Sequence, residues 1–221
     1  MTLEDFLVLK FIFLYAFILA SIINYVSVIL DKKLLKIVTN ALIIPFLIVF
    51  YILSEQHVAY SFIIGMVLVF IGDLILSINN DKKMLLPSAV FYIASHIFVI
   101  IAFCPDIVFS SIPALYYISV SAVMLGILVA VLVLLRRYFD NKKLSLVAIY
   151  LFSSILMSVF AYFRLACANI LISLVGTILL FASNVCLLIA KFDEDKPWMN
   201  RFVVIPVHII SLLLITISFT I

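Results

Sequence analysis

Charged residues are scarce in this chain. They make up 11% of its 221 residues, whereas hydrophobic residues make up 68%. A soluble domain is about half apolar and about a quarter charged. A globule of this length could not bury such an apolar surplus, so lipid must solvate much of it. The net charge of +3 is spread over loops without forming a basic face, which argues against a nucleic-acid partner.

Recognisable catalytic and metal-binding motifs are missing as well. The three cysteines, Cys104, Cys167 and Cys186, lack metal-ligand spacing, and their default role is that of small buried side chains. Cys104 and Cys167 fall at helix ends on the same side, which leaves a disulfide between them open. The chain contains no Ser-His-Asp set, phosphate-binding loop or zinc signature. We therefore expect neither a metal nor a cofactor.

Long apolar runs dominate what is present. Each is about 20 residues or longer, enough to cross a hydrocarbon core of about 30 Å as a helix. Alternating apolar strands of about ten residues, typical of membrane barrels, are absent. The sequence predicts an all-α polytopic membrane protein: one integral membrane domain over residues 1–221 with eight transmembrane helices. The apolar runs are 6–30, 34–53, 58–78, 85–104, 112–135, 145–165, 169–190 and 199–220.

The basic residues predict the orientation of these helices. Twelve of the fourteen lysines and arginines lie in or beside loops one, three, five and seven. Only Lys10 and Arg164 lie toward the other side, where we expect Arg164 to reach the interface. Because cytoplasmic loops are enriched in Lys and Arg, the four basic loops are predicted to face the cytoplasm. Both termini are then predicted to lie outside, in a protein of the cell membrane.

Glycine is rare, and three of the four glycines lie in two similar segments, 65–73 and 176–184. Both segments read Gly-x4-Phe-x-small-(Asp or Asn), and they begin 111 positions apart. Residues 31–34 and 141–144 form a second similar pair at an offset of 110. Such an offset corresponds to four helices with their loops, so the halves would share one orientation. The sequence therefore predicts a four-plus-four parallel internal repeat, related by an axis along the membrane normal.

Asp73 is the only acidic residue well inside an apolar run. Left in lipid it would cost about 3 kcal/mol, so we expect it to face a polar cavity or a partner. The repeat pairs Asp73 with Asn184, and His96 and His208 follow them by 23 and 24 residues. These four residues are predicted to line one central cavity, which for a single-chain lipid would measure on the order of several hundred Å³. Interhelical hydrogen bonding remains the alternative role for each of them.

Several short segments together resemble the YhhN-like membrane proteins, a family that includes the lysoplasmalogenases. The resemblance covers most of the chain from about residue 60 onward. The matching residues are 70–76 (FIGDLIL), Phe91, His96, Tyr150, Met157 and 176–190 (GTILLFASNVCLLIA).

The resemblance implies an eight-helix membrane hydrolase that cleaves the vinyl ether of a lysoplasmalogen, a single-chain ether phospholipid. The products would be a fatty aldehyde and a glycerophospho-alcohol. It also implies a catalytic pair at Asp73 and Asn184, although the family has a second Asp where this chain has Asn184. Three more positions depart from the family pattern. The family pattern has Tyr where this chain has Val99 and His208, and Gln where it has Leu212.

The expected chemistry begins with protonation of the alkene carbon, for which Asp73 would be the donor. Asn184 would orient water but could not take its proton, a role left to His96 or His208. The missing second carboxylate predicts a weak or altered enzyme. Two other classes stay open. One is a catalytically silent lipid-binding protein, which Asn184 favours, and the other is a small-molecule transporter with a duplicated bundle.

Overall fold

The eight predicted helices are present. The computed structural model describes residues 3–78, 82–108, 112–164, 169–193 and 195–220. In that part of the chain, eight helical segments are long and apolar enough to cross a membrane, so the chain is a multi-pass membrane protein. The helices are α1 (Leu3–Ile29), α2 (Lys33–Ser54), α3 (Tyr60–Ile78), α4 (Leu85–Phe103), α5 (Ala114–Leu135), α6 (Asn141–Phe163), α7 (Ile170–Phe192) and α8 (Ile205–Ile217).

The helices pack mainly as sequential pairs, with α6 between α4 and α7. The pairs α1–α2, α3–α4 and α7–α8 are in close contact, and α6 packs against both α4 and α7. Helix α6 carries fully buried side chains such as Leu151 and Met157. Helix α5 packs chiefly on α6 and buries only Leu128 and Leu135. A helix that is apolar all round and little buried is typical of a lipid-facing position.

Glycine allows two of these pairs to approach closely. A Cβ at residue 65 would lie 3.0 Å from Val99 Cγ2 on α4, and one at residue 176 would lie 3.0 Å from the Ile215 nitrogen on α8. Small residues of this kind let membrane helices pack backbone to backbone. Gly65 and Gly176 thus hold equivalent places in the α3–α4 and α7–α8 pairs. The internal repeat itself stays a prediction.

The last span begins with a wide turn. Residues Asn200–Val204 form a π-helix, in which the Ile205 N–H donates to the Asn200 carbonyl. Pro206 follows at the start of α8 and has no N–H to continue a regular ladder. The Ser183 hydroxyl of α7 donates to the Val204 carbonyl at 3.1 Å. This hydrogen bond fixes the wide turn beside α7, at the basic end of the bundle, which we define as the end where α1, α3, α5 and α7 finish.

Arg164 does not reach out to the interface as the sequence predicted. Its side chain is only 3% exposed. Its guanidinium lies 2.7 Å from Asp106 Oδ2, donates to Ser218 Oγ at 3.2 Å, and sits over the rings of Phe103 and Phe219. Arg164 therefore joins the ends of α4, α6 and α8, opposite the basic end. Cys167, one partner of the disulfide that the sequence left open, lies outside the described residues.

A separate polar contact joins two helices at the basic end. The Tyr138 hydroxyl, just after α5, donates to Asp193 Oδ2 at 2.8 Å, just after α7. This hydrogen bond lowers the pKa of Asp193, because it favours the charged carboxylate. Lys196 lies 3.5 Å from the same oxygen. The contact connects the peripheral α5 to the rest of the bundle.

Candidate functional site

A polar cavity of about 90 Å³ lies inside the bundle near the basic end. Helices α1, α2, α3, α4, α7 and α8 all contribute to its walls, so it is central, as the sequence predicted. It is smaller than the several hundred Å³ expected for a whole single-chain lipid. Its polar lining consists of Asn24, Lys36, Asn40, Asp73, Ser77, Tyr92, Ser183, Asn184, Lys191, Asn200 and His208.

Asp73 is hydrogen-bonded through both of its carboxyl oxygens. The Tyr92 hydroxyl donates to Oδ1, and Nε2 of His208 lies 3.3 Å from Oδ2. The Asp73 and His208 side chains are only 12% and 17% exposed. The three groups come from α3, α4 and α8, so the contact exists only when these helices are assembled. Which of the two atoms donates in this contact depends on the tautomer of the imidazole.

Sequence reasoning missed Tyr92, although two signals pointed to it. Tyr92 lies one helical turn before His96, on the same face of α4. Gly72 is also next to Asp73, and a Cβ at residue 72 would lie 3.0 Å from Tyr92 Cε1. Glycine at this position leaves space for the tyrosine ring. Gly72 therefore allows the Tyr92 hydroxyl to reach the Asp73 carboxyl group.

A second group of polar side chains holds the backbone at Asp73. The Asn40 amide on α2 donates to Ser77 Oγ at 2.6 Å, and the Ser77 hydroxyl donates to the Asp73 carbonyl at 2.8 Å. These partly buried hydrogen bonds connect α2 to the last turns of α3. They fix the position from which the Asp73 side chain enters the cavity.

Asn184 lines the same cavity as Asp73, as the repeat predicted. It is buried, and its amide nitrogen donates to Ser154 Oγ on α6 at 3.1 Å. The amide group is therefore anchored on one side. Its carbonyl oxygen is the atom that remains to accept a hydrogen bond from a molecule in the cavity.

His96 does not line this cavity, contrary to the sequence-based expectation. It is buried, its Nδ1 lies 2.9 Å from Ser153 Oγ on α6, and its ring stacks on Tyr150 with 6.0 Å between centroids. The Tyr150 ring in turn lies 6.0 Å from the Tyr92 ring. Two aromatic rings thus separate His96 from Asp73. Its observed contacts are those of an interhelical hydrogen bond.

A basic vestibule adjoins the Asp73 cavity. This second space, of about 340 Å³, is lined by Lys32, Lys33, Lys36 and Arg201, with Asp31 as the acidic residue among them. Arg201 lies 3.6 Å from Asp31 in an exposed ion pair. The vestibule and the cavity share three lining residues: Lys36, Ser77 and Asn200.

Together these features place a carboxyl group and an imidazole at a half-open cavity with many polar lining residues, beside a positively charged vestibule. A carboxyl group and an imidazole are side chains that can transfer a proton to or from a bound molecule. Four cationic side chains in the vestibule suit an anionic group such as a phosphate.

Comparison with known proteins identifies the family. The model of the YhhN family matches residues 35–219. The match includes every polar lining residue of the Asp73 cavity except Asn24. No curated protein and no solved structure matches the chain. Since the match covers most of the chain and agrees with the resemblance seen in the sequence, this protein belongs to the YhhN family.

Proposed function

We propose that this protein is a lysoplasmalogenase-like hydrolase that cleaves the vinyl ether of a single-chain ether phospholipid. The observation that carries the proposal is the position of Asp73, hydrogen-bonded to Tyr92 and facing His208 at a polar cavity inside the membrane bundle. An ionisable residue in that place suggests function. Membership of the YhhN family, which the sequence resemblance associates with lysoplasmalogenases, supports the same chemistry.

The first step is protonation of the substrate. With the proton on Asp73, the alkene electrons attack it, and a C–H bond forms at the carbon remote from the ether oxygen. The other alkene carbon becomes part of an oxocarbenium ion. The Asp73 carboxylate left behind keeps its hydrogen bond from Tyr92. A fixed carboxylate beside the cation lowers the barrier, as paired carboxylates do at other oxocarbenium centres.

The second step is the addition of water. Asn184 accepts a hydrogen bond from the water through its carbonyl oxygen and orients it, and Nε2 of His208 takes the proton as the C–O bond forms. The hemiacetal then collapses: Asp73 takes its hydroxyl proton, His208 gives its proton to the leaving glycerol oxygen, and the aldehyde is released. One water is consumed, and both side chains return to their starting states.

His208 thereby takes the role that a second carboxylate would have had. Asn184 cannot accept a proton at neutral pH, but His208 lies 3.3 Å from Asp73 and can. The resemblance places a tyrosine at position 208 and an aspartate at 184. The two departures from that pattern therefore complement each other, because this chain loses a base on α7 and gains one on α8.

The basic vestibule and the small cavity divide the substrate between them. The phosphate binds near Lys32, Lys33 and Lys36, and the glycerol and vinyl ether occupy the cavity of about 90 Å³. A bound phosphate gains charge-assisted hydrogen bonds from these lysines. The hydrocarbon chain remains outside the polar cavity.

The test is aldehyde release by purified protein in lipid nanodiscs supplied with a lysoplasmalogen. The wild type should release aldehyde, Asp73→Asn should reduce the rate by about 10²–10⁴-fold, and Asn184→Asp should raise it. Asp140→Asn is the matched control, because Asp140 is an exposed aspartate outside the membrane-spanning segments. An ester-linked lysophospholipid should not be cleaved.

Two results would overturn the proposal. Unchanged turnover in Asp73→Asn would show that Asp73 is not the acid. If neither the wild type nor Asn184→Asp released aldehyde from any lysoplasmalogen, a lipid-binding or transport role would replace the enzyme.

A further inference from the structure

A third cavity, larger than the Asp73 cavity and the basic vestibule, opens between α4, α6 and α7 at the basic end. Its volume is about 440 Å³, within the range of roughly 300–1,000 Å³ that is usual for small-molecule sites. We call it the α4–α6–α7 groove. Apolar side chains from all three helices form its walls, including Leu86, Ala89, Leu146, Val147 and Leu188.

The groove is separate from the Asp73 cavity. Tyr92 and Leu187 line the Asp73 cavity, whereas Tyr150 and Leu188 line the groove. The Tyr92 and Tyr150 rings, 6.0 Å apart between centroids, stand between the two spaces. A molecule in the groove would therefore not touch Asp73.

The Tyr150 hydroxyl has no hydrogen-bond partner. It is the one buried side-chain polar atom without a partner among the described residues, and the Tyr150 side chain is only 2% exposed. Leaving a buried hydroxyl unpaired costs about 1–3 kcal/mol, so unpaired groups of this kind call for an explanation. Tyr150 lines the groove, and an acceptor atom on a bound molecule would satisfy the hydroxyl once a shift of the side chain exposes it.

Two lysines stand at the mouth of the groove. Lys83 and Lys143 are exposed and line it. Lys143 also pairs with Asp140 at 3.2 Å, but both partners are largely exposed, and such pairs are weak. Asp193, near the same mouth, is engaged by Tyr138 and Lys196. The mouth thus favours an anionic group, while the walls favour hydrocarbon.

We propose that the α4–α6–α7 groove is a binding site for a lysophospholipid. The phosphate lies between Lys83 and Lys143, an oxygen of the glycerol or of the chain linkage accepts from the Tyr150 hydroxyl, and the chain runs along the apolar walls. This binding needs no cleavage and does not depend on the proposed function.

The spacing along α6 separates a lysophospholipid from a fatty acid. Lys143 and Tyr150 are seven residues apart, which is about 10 Å along the helix axis. A lysophospholipid carries polar atoms both at its phosphate and deeper, at its glycerol and linkage. A fatty acid has only its terminal carboxylate. It therefore cannot bind the lysines and also accept a hydrogen bond from the Tyr150 hydroxyl.

The experiment is photolabelling of the full-length protein in nanodiscs. The probe is an ester-linked lysophosphatidylcholine with a diazirine on its chain, and labelled residues are identified by mass spectrometry. Labels should form a distinct cluster on α4, α6 and α7 at the groove, separate from any labels near the basic vestibule of the proposed function. Excess unlabelled lysophosphatidylcholine should compete, and a fatty acid of equal chain length should compete at least about tenfold less well, because it lacks the second polar contact.

Variants test each part of the site. Ala89→Phe should block labelling by filling the groove, whereas Ala130→Phe, at an exposed alanine on the lipid-facing α5, should not. Tyr150→Phe should weaken binding by about tenfold, and Lys83→Glu with Lys143→Glu should weaken it further. Asp73→Asn should leave labelling unchanged, which separates groove binding from the proposed hydrolysis.

Three results would overturn the inference. Labels spread evenly over lipid-facing helices would mean that the groove is ordinary membrane surface. Full labelling in a folded Ala89→Phe protein would exclude the groove. Equal competition by the fatty acid, together with no effect of Tyr150→Phe, would exclude the lysophospholipid as its specific occupant.

Discussion

At the scale of single residues, Asp73 illustrates how a carboxyl group is held inside an apolar bundle. A carboxylate in lipid costs about 3 kcal/mol, but here each oxygen has a neighbour from another helix, Tyr92 or His208. Gly72 makes this possible because any side chain at that position would meet the Tyr92 ring. Asp73 and Gly72 therefore act together: Gly72 leaves space for the Tyr92 ring, and Asp73 accepts the hydrogen bond from the Tyr92 hydroxyl.

The proposed exchange of bases between α7 and α8 gives a residue-scale prediction. His208→Gln keeps a hydrogen-bonding side chain but removes the base, so aldehyde release should fall by about 10²–10⁴-fold. Adding Asn184→Asp should restore most of the loss, because the new carboxylate lines the same cavity. The measurement is a double-mutant cycle on kcat, in which the two substitutions should be strongly non-additive.

Asn200→Asp in the His208→Gln background is the matched control. Asn200 also lines the cavity, but on the wide turn before α8, where a carboxylate should not replace the base. Equal rescue by Asp at positions 200 and 184 would mean that added negative charge, and not its position, restores the rate. No rescue by Asn184→Asp, in a folded protein, would contradict the complementary roles of Asn184 and His208.

At the scale of helices, glycine decides how closely α7 and α8 approach. A Cβ at Gly176 would lie 3.0 Å from the Ile215 backbone nitrogen and 3.1 Å from Leu214 Cβ. Backbone cannot move aside as a flexible side chain does. The α7–α8 contact carries Asn184 and His208, so its spacing also sets the width of the candidate site.

Gly176→Ala is accordingly expected to destabilise the protein by about 1–3 kcal/mol, the usual cost of overpacking. Gly126→Ala is the matched control, because a Cβ at residue 126 would meet nothing within 4 Å, and alanine favours the helix by about 1 kcal/mol. Thermal unfolding in detergent should show a lower Tm for Gly176→Ala only. Equal Tm values for the two variants would argue against close α7–α8 packing.

The helices were predictable, but several side-chain contacts were not. The length and apolarity of a sequence segment determine whether it crosses a membrane. The eight spans could therefore be predicted from the sequence. The rotation of each helix about its axis decides which side chains meet. Depth along the helix matters as well: Tyr92 and His96 lie one turn apart on the same face of α4, but only Tyr92 contacts Asp73, so Tyr92 was missed and His96 was misplaced. Arg164 was misplaced because its partners, Asp106 and Ser218, are far away in sequence.

At the scale of the whole molecule, the two ends of the bundle differ chemically. The Asp73 cavity, the basic vestibule and the α4–α6–α7 groove all lie at the basic end. The opposite end contains the ion pair between the buried Arg164 and the partly exposed Asp106. If the basic loops face the cytoplasm, all three spaces would receive lipid from the cytoplasmic leaflet. The orientation therefore determines which leaflet supplies the proposed ligands.

Cysteine labelling in intact cells tests this orientation. In a background with the three native cysteines replaced by serine, His57→Cys reports on the end opposite the basic end, and Lys83→Cys reports on the basic end; both positions are exposed. Because twelve of the fourteen lysines and arginines lie at the basic end, that end should stay inside. A membrane-impermeant maleimide should label the His57→Cys variant in intact cells and the Lys83→Cys variant only after permeabilisation. The reverse pattern would invert the topology, and the basic cavities would then open to the outer leaflet.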